Sequence, residues 1–93
     1  MIKTFLCQET KKIWDGERSR RFPDDIQNRA LSKLRMLDAA LSLDDLKNPP
    51  GNRLEALKGE RQDHMSIRIS QQWRLCFVWA RGGAYDVEIV DYH

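Results

Sequence analysis

Cysteine is scarce in this sequence and poorly placed for metal or redox chemistry. The two residues, Cys7 and Cys76, lie far apart, and neither has the CxxC or Cys/His spacing that a zinc site requires. They read as reduced core thiols. Long hydrophobic runs are missing too: nothing approaches membrane-spanning length, and Met1–Cys7 is too short for a signal sequence and meets a charged segment at once. The expected location is the cytoplasm. Charge of one sign is also lacking, since 16 Lys and Arg against 14 Asp and Glu leave +2, too little to announce a nucleic-acid binder. Distribution matters more than the total, because Arg18, Arg20 and Arg21 form one dense group while Arg53, Lys58, Arg61, Arg68, Arg74 and Arg81 recur in the C-terminal half. There is no metal motif, Gly-rich phosphate loop, Ser nucleophile elbow or helix-turn-helix signature. An enzyme built on this chain must work with arginines, lysine and a few acid/base groups, without a cofactor or a metal.

What is present suits one small domain spanning 1–93. Hydrophobic residues make up 41% and charged ones 32%, with a mean hydropathy of -0.66, a globular balance rather than a disordered one. Residues 1 to 7 read as a strand and Glu9–Trp14 as a short helix ending near Asp15-Gly16. A longer helix starts after Pro23, with Asp24 and Asp25 at its positive end and a core stripe of Ile26, Ala30, Leu34, Leu37 and Leu41. The segment Lys47-Asn48-Pro49-Pro50-Gly51-Asn52 is expected to stop it.

The remainder alternates with a period of two. Met65, Ile67 and Ile69, then Trp73, Leu75, Phe77 and Trp79, then Val87 and Ile89 share one face; Gln71-Gln72 and Arg81-Gly82-Gly83-Ala84 are the turns between them. If helices cover that face, Arg68, Arg74 and Tyr92 project from the opposite one, where cross-strand neighbours are within reach of a shared ligand. The last strand leads into Asp91-Tyr92-His93, a carboxylate, a phenol and an imidazole in succession. They read either as a capped core with a solvated last residue or as a catalytic element at a sheet edge.

Four segments in order, Leu54-Glu55-Ala56-Leu57-Lys58-Gly59, Ser66-Ile67-Arg68, Gln72-Trp73-Arg74-Leu75-Cys76-Phe77 and Asp91-Tyr92-His93, resemble the HigB-type toxins of the RelE superfamily. The resemblance takes in Met1-Ile2-Lys3-Thr4-Phe5 and both helices. The Pro-Pro-Gly-Asn-Arg-Leu-Glu segment and the ending Val87–His93 are similar to the GraT type. It implies an α+β, RelE-like fold of order β-α-α-β-β-β, with room for one more strand, whose antiparallel sheet carries two N-terminal helices on one face. It also implies a bacterial toxin that cuts messenger RNA in the ribosomal decoding site and is neutralised by a HigA-like helix-turn-helix antitoxin, with operator DNA contacted only through that antitoxin. The alternative is a non-catalytic ribosome-binding inhibitor or an antitoxin-bound co-repressor component.

By the same resemblance Lys58, Arg74, Asp91, Tyr92 and His93 belong to the cleavage site or its surroundings. Glu55 stands where the family has a histidine. Cleavage without a metal uses the ribose 2′-hydroxyl as nucleophile, and each need finds a residue type here. Arg74 and Arg68 supply donor forks for phosphate oxygens and Lys58 a point charge. Glu55, in a partly dry site, Asp91 or His93 supplies a base, and His93 or Tyr92 an acid. Tyr92 also suits stacking on a splayed base. Arg53 and Arg61 are expected RNA contacts, while Trp73 and Trp79 read as core.

Overall fold

A computed structural model describes residues 1–57 and 64–91 of the chain. Two helices come first, α1 (Gln8–Trp14) and α2 (Asp24–Ala39). Pro23 precedes α2 with Asp24 and Asp25 in its first turn, and Ile26, Ala30, Leu34 and Leu37 are buried along one stripe. The stripe stops there. Leu41, expected to be its last member, is 86% exposed, because α2 ends at Ala39 and Ala40 turns extended. Asp45 then draws the chain into a 3₁₀ turn, its Oδ2 accepting from the backbone N–H of Leu41 (2.8 Å) and of Ser42 (3.3 Å). The proline segment therefore does not stop the helix; it forms a further 3₁₀ turn over Pro50–Asn52.

The sheet follows: β1 (Glu55–Ala56), β2 (His64–Arg68), β3 (Trp73–Ala80) and β4 (Gly83–Asp91), antiparallel and in that spatial order among the described residues. Arg81 and Gly82, both at positive φ (52° and 71°), make the two-residue turn whose twist matches the flanking strands. Ile67, Leu75, Phe77, Val87 and Ile89 face the helices and form the core with Ile13, Leu34, Leu37 and Leu46. Trp73 and Trp79 pack against that core, Trp73 meeting the edge of Phe22 at 5.6 Å. Cys7 and Cys76 are not joined in a disulfide.

The expected strand over residues 1 to 7 reduces to two isolated parallel bridges, Ile2 with Ala84 and Phe5 with Val87. The reason lies in β4, where Asp86 sits at φ 53° as an extra residue between the Val78–Tyr85 and Cys76–Glu88 pairs. The two bridges keep one register, but between them the bulge turns the Asp86 N–H to the Thr4 side chain, Oγ1 accepting it at 2.8 Å, so no continuous ladder forms. Gly83 lets the segment approach, since a Cβ there would lie 3.1 Å from the Met1 carbonyl oxygen.

Polar ties fix the helices and loops to this frame. Thr10 Oγ1, wholly buried, accepts from the Ile89 N–H (3.0 Å) and locks α1 to β4. Ser19 Oγ donates to Glu9 (2.7 Å), and this bond, with Lys12 nearby, lowers the Glu9 pKa. Its contribution is thus full above the ordinary Glu pKa and fades as pH falls through the lowered one. Asn52 is fully buried; its Nδ2 donates to the carbonyls of Leu46 (3.1 Å) and Asn48 (3.2 Å), and its Oδ1 accepts from Lys33 on α2. Burial pushes the Lys33 pKa down. Asn52→Ala strands those carbonyls and is expected to cost about 1–3 kcal/mol in urea unfolding; an unchanged midpoint would show the anchor to be dispensable. No helix among the described residues is long and apolar enough to cross a membrane.

Candidate functional site

Strand alternation puts Arg74 on the face away from the helices, flanked in register by Arg68 on β2 and Val90 on β4. The floor of this face is recessed rather than open: Ser66 and Cys76 are buried, and Arg74 is only 8% exposed. A guanidinium held so far from water needs partners. Arg74 Nε donates to Ser66 Oγ (2.9 Å), and Nη2 donates to the Arg53 carbonyl (2.7 Å) and, at 3.4 Å, to the Ser66 carbonyl. Glu55 on β1 brings Oε2 to 4.0 Å from Nη2, with its own side chain 58% exposed. The partly dry setting expected for Glu55 is not found; it is a rim carboxylate beside a fixed cation.

Arg53 owes its place to backbone geometry. Closing the 3₁₀ turn, it adopts left-handed angles (φ 44°, ψ 59°), donates its N–H to the Pro50 carbonyl (3.1 Å) and turns its own carbonyl toward Arg74. Its side chain points to solvent. Arg68, directly across from Arg74, donates Nε to the Ser70 carbonyl (3.2 Å) and leans toward the hairpin. Register thus sets two arginines side by side on one recessed surface, and their cationic forks suit a phosphate. Farther along the same face His64, Cys76 and Glu88 line a cavity of about 140 Å³.

The structure thus brings together Arg74, Glu55, Arg68 and the backbone of Arg53. It does not bring in Asp91, whose register partner is Trp73 on the helix-covered side and whose Oδ2 accepts from Gln72 Nε2 (3.2 Å). Lys58, Arg61, Tyr92 and His93 lie outside the described residues. Arg18, Arg20 and Arg21 are exposed between α1 and α2. Sequence reasoning missed Ser66 and the Arg53 carbonyl. Ser66 left a trace, a small hydroxyl at a floor position in a strand, but a main-chain acceptor in a left-handed turn leaves none in side-chain identities.

Comparison with known proteins gives this geometry a context. The family described as RelE-like toxin of type II toxin-antitoxin system HigB matches residues 4–93. Toxin HigB-1 of Vibrio cholerae is 46% identical, with 85% of this chain and 90% of that protein covered. Endoribonuclease HigB of Proteus vulgaris is 30% identical over the whole of both chains. Among solved structures a YafQ mutant from E. coli superposes with a TM-score of 0.59 at 15% identity, covering 98% of this chain and 93% of its own. The YoeB/ParE toxin from Agrobacterium tumefaciens does so with 0.53 at 16%, covering 100% and 99%. At such identities these two speak for the fold, a four-stranded antiparallel sheet with two helices.

Proposed function

The chain belongs to the RelE-like HigB toxins of type II toxin-antitoxin systems, and from that membership and the Arg74 site we propose that it is an endoribonuclease that cuts messenger RNA on the ribosome. The observation that carries the reading is the nearly buried Arg74 guanidinium, held in one orientation by Ser66 and the Arg53 carbonyl, with Arg68 its register partner on β2. A planar fork in a water-poor recess stabilises phosphate charge far better than a mobile surface cation, because its dipoles need not reorganise as charge develops.

The reaction needs no metal. A base removes the proton of a ribose 2′-hydroxyl, and the oxygen attacks the neighbouring phosphorus. Arg74, with Lys58 and Arg68, holds the negative charge of the phosphorane. An acid then protonates the departing 5′-oxygen, leaving a 2′,3′-cyclic phosphate on one fragment and a 5′-hydroxyl on the other. His93 suits the acid, its imidazole titrating nearest neutrality, and Tyr92 suits stacking on the splayed base. Glu55 takes the base role, favoured by its place beside Arg74. Arg53 and Arg61, with Arg18, Arg20 and Arg21, contact RNA backbone, an interaction that weakens with salt.

Family membership brings an antitoxin partner. In this reading it is a HigA-like helix-turn-helix protein through which the complex meets operator DNA, and the toxin acts in the cytoplasm to arrest growth. Primer extension on messengers from translating ribosomes tests the proposal: new 5′ ends should appear with this protein and vanish with its antitoxin. Slowed translation without cut ends would point to occlusion of the decoding site instead.

A further inference from the structure

The Arg74 guanidinium does not rest on side chains alone, and its backbone partner is unusual. Non-glycine residues at positive φ are uncommon, and an arginine has no local hydrogen bond of its own to favour the left-handed region. Yet Arg53 adopts φ 44° and delivers its carbonyl to Nη2 at 2.7 Å, the shortest of the described Arg74 contacts. The residue before it, Asn52, is fully buried and bonded to Leu46, Asn48 and Lys33, so this turn is anchored to α2 and to the preceding loop. Such strain persists where the surroundings over-determine it, and it clusters where it serves a site.

We propose that the left-handed backbone of Arg53, anchored by Asn52, is a positioning device that fixes the phosphate-binding orientation of Arg74, a role distinct from any contact the Arg53 side chain makes with RNA. It rests on the assignment of Arg74 to the scissile phosphate. The chain Lys33–Asn52–Arg53–Arg74 links α2 to the recess, so the loop holds the fork where charge develops. A fork released from its carbonyl would still carry charge but would sample orientations that do not match the phosphorane, lowering the rate of the chemical step more than affinity for the ribosome.

Backbone and side chain separate cleanly by substitution. Arg53→Gly and Arg53→Val both remove the guanidinium, but glycine accepts positive φ freely whereas a β-branched residue resists it. With purified variants on programmed ribosomes, Arg53→Val should cleave about tenfold or more slowly than Arg53→Gly at saturation, with similar apparent ribosome affinity. Arg53→Ala should fall between them and carries the comparison if Arg53→Val fails to fold. The Arg74 Nη2–H resonance, which reports the bond to the Arg53 carbonyl, should keep its wild-type shift in Arg53→Gly and lose it in Arg53→Val. Equal cleavage rates for folded Gly, Ala and Val variants, or an Nη2–H signal indifferent to them, would overturn the positioning role. Full cleavage by Arg74→Ala would instead overturn the assignment beneath it.

Discussion

Replacing Arg74 with alanine is expected to lower single-turnover cleavage of ribosome-bound messenger about 10²–10³-fold, the usual effect of removing one preorganised donor from developing anionic charge. Two things are lost at once. The fork leaves the phosphate, and the Arg53 carbonyl and Ser66 hydroxyl lose a donor in a recess where Arg74 itself is 8% exposed. The second loss bears on stability, at about 1–3 kcal/mol, so cleavage must be read at temperatures where circular dichroism shows the variant folded. Arg74→Lys separates charge from geometry: it keeps the cation but loses the planar fork, and its activity should stay near that of Arg74→Ala. Wild-type rates in Arg74→Lys would show that only a positive charge is needed there.

The second large effect is expected at the C-terminal residues. His93→Gln should reduce cleavage about 10²–10⁴-fold, as removal of a general acid does, and should flatten the limb of the pH–rate profile that reports its titration. Antitoxin binding should survive, since the change is small. Tyr92→Phe retains a stacking ring and should stay within about threefold of wild type, whereas Tyr92→Ala loses roughly 1–3 kcal/mol of stacking. A His93→Gln protein with an unaltered pH profile would move the acid elsewhere, and His64, on the face that carries Arg74, would become the imidazole to examine.

Much of the frame was legible because period and face are local properties. The 3.6-residue stripe of α2 and the alternation in β2, β3 and β4 located the core and placed Arg68 and Arg74 together. Leu41 was misplaced for a reason equally local: the Asp45 carboxylate competes for the backbone that would have extended α2. The bulge at Asp86 was not legible, since nothing in β4's alternation announces an extra residue, and with it went the continuous N-terminal strand. Alternation also understated the site. It assigned Arg74 to an open face, whereas the side chain is nearly buried and meets a main-chain acceptor from Arg53. Asp91 shows the converse, a residue grouped with the site by resemblance whose register lies with Trp73.

The proposed reaction is metal-free scission through the 2′-hydroxyl, driven by a fixed Arg74 fork. Cleavage of a messenger carrying a single 2′-deoxy nucleotide at the mapped cut, programmed in the decoding site, tests it most directly. No product is expected at that position, with a 2′,3′-cyclic phosphate and a 5′-hydroxyl on the fragments of the all-ribose control. Cutting of the deoxy-substituted messenger at the same position and rate would contradict it.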